Sequence, residues 1–284
     1  MNGIVNIYKP PGITSHGAVN RVRKILGLKK VGHTGTLDPD AEGVLPICIG
    51  KGTKLAGLLT DADKAYRAVI KFGVVTDTQD ASGEVLSECK PDVNFEDFCS
   101  TVESFIGKIN QIPPMYSALK VNGRKLCDLA RQGIEIERTP REVNVFSIEI
   151  SDFDGKTAIL DVSCSKGTYI RTLCHDIGQK LGCGAIMQSL VRTKSGIFEI
   201  RDSVSFEQFE KNPQNFITPP DKLFLHLPEY IATEEETAKI KNGIRIKTQL
   251  ENNNLYRIYS DKGEFLALSE SVNNQLIMKT AFFG

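Results

Sequence analysis

In Gly32-His33-Thr34-Gly35-Thr36-Leu37-Asp38-Pro39-Asp40-Ala41-Glu42-Gly43-Val44-Leu45-Pro46, three glycines punctuate a polar loop that runs straight into an apolar strand. Gly32, Gly35 and Gly43 permit tight backbone turns or the close approach of a ligand. Asp38 precedes Pro39, which disfavours helical geometry at the aspartate and biases it to an extended one. That is a way to hold one carboxylate still for chemistry. Taken alone, it reads rather as a turn in which Asp38 bonds to neighbouring amides. The run from Asp38 to Gly43 also copies the opening of a calcium loop, but the twelfth position is Ile49 where a bidentate Glu is required, so calcium is excluded.

Working outward, residues 3–8 alternate as a strand that stops at Pro10-Pro11-Gly12. A helix is expected over 15–26, capped by Ser15, with Val19, Val22, Ile25 and Leu26 on one face. Strand 44–49 and a helix over 53–59 follow. Residues 64–75 read as a strand with Tyr66, Ala68, Ile70 and Phe72 on one side. Asn94 is placed to cap a helix carrying Phe95, Phe98, Val102 and Phe105. Residues 111–141 read as a basic loop with a short helix near 126–131, and 146–163 as a hairpin around Asp154-Gly155. A helix over 168–181 and strands near 187–192 and 197–200 complete the larger part. Four prolines within 212–228 suggest a linker, and 228–284 a small β-rich unit holding seven basic and eight acidic residues. Hairpins and helices mixed without a βαβ rhythm give an α+β class.

Composition narrows the function. Of 284 residues, 40% are hydrophobic and 25% charged, which excludes disorder and supports a sizeable core. No run of about eighteen apolar residues is present to span a membrane. The N-terminus lacks a charged-then-apolar leader, so a cytoplasmic protein is expected. Seven cysteines without a CxxC, and four histidines none of which pair at i, i+4, argue against a disulfide framework or a metal site. Net charge is zero but unevenly spread: residues 1–60 hold eight basic against three acidic residues, and 61–100 four against nine. Further basic clusters lie at Lys120, Arg124, Lys125 and Arg131, then at Arg138 and Arg141. Such clusters suit phosphate contacts if they share a face, and solvated helix faces if they do not.

The opening loop resembles, throughout its length, the signature of the bacterial tRNA pseudouridine-55 synthases. Three further pieces agree in order: Lys9-Pro10-Pro11-Gly12-Ile13-Thr14-Ser15, Lys64-Ala65-Tyr66-Arg67 and Lys166-Gly167-Thr168-Tyr169-Ile170-Arg171-Thr172. Residues 112–120 also resemble the family, and the likeness runs from residue 3 to about 200.

The resemblance implies a core built on a mainly antiparallel mixed sheet flanked by helices, spanning 1–220. Residues 117–141 would be an RNA-gripping insertion, and 228–284 a small PUA-like RNA-binding module. It also implies an isomerase that converts uridine 55 of the tRNA T loop to pseudouridine, with no cofactor and with tRNA as its partner. Asp38 would be the nucleophile and Arg171 its partner. Tyr66 would stack on the target base, Tyr169 and Leu190 would contact the target nucleotide, and His33 would help displace it. On position alone, Arg171 is a surface arginine opposing a helix dipole, Tyr66 and Leu190 are core residues, Tyr169 is a packed helix-start aromatic and His33 a bonded loop histidine. The loop 76–83 fits the family too, and its acidic groups suggest a structural role.

Two other classes stay in view. A nuclease or glycosidase using Asp38 would need a metal or a second poised carboxylate, and no loop supplies an obvious one. A tRNA-folding chaperone would need no reaction, but it leaves Asp38, Tyr66 and Arg171 together unexplained.

Overall fold

The computed structural model describes residues 1–283. Strand β1 (Gly3–Lys9) leads into α1 (Ser15–Leu26), whose cap is Thr14 rather than the expected Ser15. The Thr14 hydroxyl accepts the Gly17 N–H, and Gly27 in the left-handed region ends the helix. Strands β2 (Val31–His33) and β3 (Glu42–Ile49) flank the Asp38 loop. The helix expected over 53–59 is a 3-10 turn, Gly50–Leu55, running into α2 (Ala56–Thr60). Strand β4 (Lys64–Phe72) ends earlier than its alternation suggests, because Gly73 at φ +81° turns the chain out of the sheet. Strand β5 (Val74–Thr76) then pairs with β6 (Val85–Glu88) in a separate hairpin that carries the loop 76–83.

Helix α3 (Phe95–Glu103) is capped by Asn94 as expected, and β7 (Gly107–Gln111) follows. The basic segment holds a small hairpin, β8 (Lys120–Val121) with β9 (Arg124–Lys125), and α4 (Leu126–Ala130). The hairpin of β10 (Arg141–Phe153) and β11 (Thr157–Cys164) leads to α5 (Ile170–Lys180), β12 (Ala185–Ser195), β13 (Phe198–Glu199) and α6 (Phe206–Lys211).

Nine strands form one sheet in the order β1-β3-β12-β4-β11-β10-β7, with β2 on β3 and β13 on β12. Only β3 and β12 run parallel, so the sheet is mainly antiparallel, as the α+β reading expects. Period-two alternation decides which side each residue covers. Val5, Ile7, Leu45, Ile47, Ala68, Ile70 and Leu160 pack under α1, α3, α5 and α6, whereas Ile4, Val44 and Cys48 face the other way. One irregularity matters for the site. The β12–β4 register slips between Met187 and Ser189, so Gln188 is an extra residue. Beyond that bulge, Leu190 lies opposite Ala68 and Arg192 opposite Tyr66, on the helix-covered face.

The proline-rich segment 212–228 is not a loose linker. Its prolines open 3-10 turns at Pro213–Phe216 and Pro220–Phe224, and Ile4 exchanges both backbone hydrogen bonds with Thr218. Leu223 and Phe224 are buried with Ile4, Val44 and Cys48, and with Leu268 and Phe282 of the C-terminal unit. That unit comprises β14 (Glu229–Ala232), α7 (Glu234–Lys241), β15 (Ile246–Lys247), β16 (Leu255–Ser260), β17 (Phe265–Val272) and β18 (Gln275–Ala281). Its sheet order is β14-β16-β17-β18-β15. Thr233 and Glu236 form a capping box on α7. No helix of the described residues is long and apolar enough to cross a membrane.

Asp176 on α5 gives a stability test. Burial raises its carboxyl from 3.8 to about 6, and it has no hydrogen-bond or ion-pair partner among the described residues. A raised folded-state value favours the neutral acid, so stability falls as pH rises from about 4 to about 6 and stays low above. Asp176→Asn is expected to stabilise the protein at pH 7 by on the order of 1–2 kcal/mol. Thermal melts should show that gain vanishing near pH 4; an equal gain at both pH values would assign it to packing.

Candidate active site

The loop between β2 and β3 is fixed residue by residue. Ser15, released from capping, donates to the Leu37 carbonyl at 2.9 Å and accepts its N–H at 2.8 Å. Lys9 is fully buried, and its Nζ donates to the carbonyls of Pro10, Ile13 and Pro39 at 2.9, 2.7 and 2.9 Å. Burial lowers this ammonium to about 8, against the pull of Asp38, Asp40 and Glu42. The Gly12 N–H also donates to the Pro39 carbonyl. On the far limb, Gly43 at φ +103° lies so close to β12 that a Cβ would collide with the Arg192 backbone. Only glycine closes the loop here.

Asp38 stands at the tip of this braced loop with its carboxylate against Arg171. The guanidinium Nε lies 3.0 Å from Oδ2, and Nη2 donates to Oδ1 at 3.3 Å, a two-point contact. Arg171 is the second residue of α5 and is itself buried. Its remaining N–H groups reach the Tyr116 carbonyl at 2.8 Å, the Thr78 carbonyl at 3.2 Å and the Asp80 carboxylate at 3.5 Å. These contacts supply the compensation that a cation at a helix N-terminus needs. Burial pushes the Asp38 carboxyl above its ordinary value; Arg171 and Lys9 hold it down, while Asp80 and Asp40 add to the rise. Arg171 is thus the strongest influence keeping the carboxylate ionised.

A cleft of about 590 Å³ opens above the pair. Asp38, Tyr66, Tyr169, Arg171 and Leu190 all line it, so five of the six residues singled out in the sequence converge. Tyr66 reaches it from β4 and Leu190 from β12 beyond the bulge. Tyr169 is fixed through its backbone: the buried Gln111 amide accepts its N–H at 3.0 Å and donates to its carbonyl at 3.2 Å. Burial raises the Tyr66 and Tyr169 phenols, so both are neutral at pH 7. His33 stands apart. It ends β2, outside the cleft lining, and its Nδ1 accepts the Gly35 N–H at 3.3 Å. Burial and Arg192 lower its imidazole, so it is neutral at pH 7.

Several contributors were not singled out in the sequence. Asp80 and Thr78 belong to the loop 76–83 expected to be only structural, and they grip Arg171. Arg192, with 1% of its surface exposed, touches the Asp38 loop from β12. No local pattern marks either, because each acts through the fold. The insertion has its own apolar nucleus of Met115, Leu126 and Leu129, and it displays Lys120, Arg124, Lys125 and Arg131 at the surface. On α1, by contrast, Arg21 pairs with Glu207 and Arg23 donates to the Val31 carbonyl. Two of the eight basic residues within 1–60 are thus engaged within the protein. Among the described residues, no cluster of His, Cys, Asp or Glu is arranged to hold a metal ion.

Such a site presents an arginine-paired carboxylate beneath flat aromatic and branched apolar walls, large enough to receive a single planar base taken out of a strand. Comparison with known proteins agrees. Residues 23–170 match the TruB family pseudouridylate synthase N-terminal domain, and 171–223 the tRNA pseudouridylate synthase B C-terminal domain. A "tRNA pseudouridine synthase B" of Alkaliphilus oremlandii is 49% identical over 248 residues, covering 87% of this chain and 83% of that one. Another, of Clostridium kluyveri, is 43% identical over 288 residues, covering 99% and 100%. Among solved structures, a Cbf5-Nop10-Gar1 complex matches with a TM-score of 0.73 at 28% identity, covering 99% of this chain and 85% of that chain. An H/ACA RNP bound to a substrate RNA containing 2'-deoxyuridine matches with a TM-score of 0.73 at 26% identity over the same shares. With the Asp38–Arg171 pair set in that fold, and relatives matched along nearly the whole chain, this chain belongs to the TruB family of pseudouridylate synthases.

Proposed function

We propose that this chain is a tRNA pseudouridine synthase acting on uridine 55 of the T loop, with Asp38 as its nucleophile. The observation that carries the reading is the two-point Asp38–Arg171 contact at the floor of a cleft walled by Tyr66, Tyr169 and Leu190. The family and its "tRNA pseudouridine synthase B" relatives support the reaction and the substrate.

In the reaction the N1–C1′ bond of the uridine breaks and a C5–C1′ bond forms. The hydrogen on C5 leaves as a proton and N1 gains one, so the nucleotide is isomerised. Access to C1′, C5 and C6 requires the nucleotide out of its stack, and bases in RNA loops are the readier to yield. Asp38 attacks as the anion that Arg171 maintains. Tyr66 lies against the base and Leu190 and Tyr169 bound it, while His33, behind Gly35, acts on loop entry rather than on the reacting atoms.

In the same reading, residues 1–220 form the catalytic unit and 117–141 grip the T arm through their exposed cations. Residues 228–284 form a PUA-like module for a further part of the tRNA, and the enzyme works in the cytoplasm. The test is tritium release from unmodified tRNA labelled at uracil C5. One equivalent per tRNA, lost when uridine 55 is changed, is the expected result. Binding without release would leave a tRNA-binding protein instead.

A further inference from the structure

Arg192 is the least exposed cation beside the cleft apart from Lys9, and it has no carboxylate within ion-pair distance among the described residues. Its Nε donates to the Val44 carbonyl at 2.7 Å, Nη1 to Thr36 at 3.4 Å and Nη2 to Gly35 at 3.3 Å. Gly35 and Thr36 enter the Asp38 loop and Val44 leaves it, so one guanidinium joins both limbs. Bracing alone does not require a charge, and a buried unpaired cation is costly to keep.

The other side of the guanidinium faces Tyr66. The two residues are direct partners in the β4–β12 ladder, and both line the cleft. Cross-strand partners on one face stand within contact distance. Arg192 therefore holds the loop that presents Asp38 and stands directly across the ladder from Tyr66 on the cleft wall, with almost none of its surface exposed.

We propose that Arg192 is a positioning residue for this reaction, a single guanidinium that holds the Asp38 loop and the Tyr66 hydroxyl at a fixed separation across the target base. The proposal rests on the function given above. It assigns Arg192 no contact with tRNA phosphate, because its surface is closed off.

Arg192→Lys and Arg192→Gln in the full chain test it, by single-turnover pseudouridine formation alongside tRNA affinity. The rate constant is expected to fall by at least about 30-fold in the lysine variant and further in the glutamine variant, since an ammonium cannot hold the loop and the Tyr66 hydroxyl at one separation from a single rigid plane. The tRNA dissociation constant is expected to move by less than about threefold. In a Tyr66→Phe background, Arg192→Lys should cost no more than about a further threefold, because coupled residues are not additive. A bracing role alone would repeat the full loss in that background. Should the glutamine variant not fold, the lysine variant carries the test.

An Arg192→Lys rate within about threefold of wild type, or the same loss with and without the Tyr66 hydroxyl, overturns the proposal. The wild type in the same assay reports on the reaction itself. If it forms no pseudouridine in tRNA, the proposed function falls, whereas an unimpaired Arg192→Lys beside an active wild type overturns the role of Arg192 alone.

Discussion

Asp38→Asn is expected to lower pseudouridine formation by at least about 10⁴-fold, the scale of loss when a nucleophile is removed, while leaving tRNA affinity and the melting temperature near those of wild type. Asparagine keeps the shape of the side chain but has no anion to attack with. The loop does not depend on the carboxylate for its conformation. Its bracing runs through the backbone of Gly35, Thr36, Leu37, Pro39 and Val44, held by Arg192, Ser15 and Lys9. Arg171 keeps the Tyr116 and Thr78 carbonyls and Asp80 as partners. The exposed cations of the insertion, which are the expected phosphate contacts, are untouched. Measuring C5 tritium release beside tRNA binding for both proteins separates the outcomes. Parallel loss of release and affinity would make Asp38 a structural residue of the tRNA site, and retained release would remove it from the chemistry.

Arg171→Met carries the second large effect, and its mark is a shift in pH dependence. Burial, Asp80 and Asp40 already push the Asp38 carboxyl upward, and Arg171 is the foremost group opposing them. Removing the cation raises the acid further. Activity follows the anion, so it is lost as pH falls through that value, and the acid limb of the rate profile should move to higher pH. At pH 7 a loss of about 10²–10³-fold is expected, since the two-point hold on the nucleophile goes with the charge. Part of the rate should return as pH is raised. Arg171→Lys retains a charge without the fork, so it should shift the limb less while still losing rate. Single-turnover rates between pH 5 and 9 check this; an acid limb in the same place for wild type and Arg171→Met would show that Arg171 does not govern the ionisation of Asp38.

Strict alternation made β4 readable: Tyr66, Ala68, Ile70 and Phe72 sit on one face as the sequence indicates. Where a single residue interrupts the period, sequence reading failed. Gly73 cuts the strand short, and the prolines of 212–228, which look like a linker, open 3-10 turns whose Leu223 and Phe224 fill a core. The convergence of the site was legible only through resemblance. Asp38 and Arg171 are 133 positions apart, and Arg171 alone has the marks of a surface helix residue. Asp80 and Arg192 stayed invisible because nothing beside them in the chain signals what the fold brings near. An acidic turn and a strand arginine are ordinary features until β5–β6 and β12 place them against the same loop.

The bulge in β12 decides which side chains of the strand share a face. Met187 and Leu190 are three positions apart yet lie opposite Ile70 and Ala68, and were Gln188 paired in plain alternation, Leu190 and Arg192 would both turn to the opposite side of the sheet, leaving the cleft without its apolar wall and the Asp38 loop without its brace. Gln188 and Ser189 are exposed, so exchanges of side chain cost little there. The spare residue works as a shim: it takes up one position of chain so that side chains of opposite parity share a wall, and a strand one residue shorter here would meet the same partners without it.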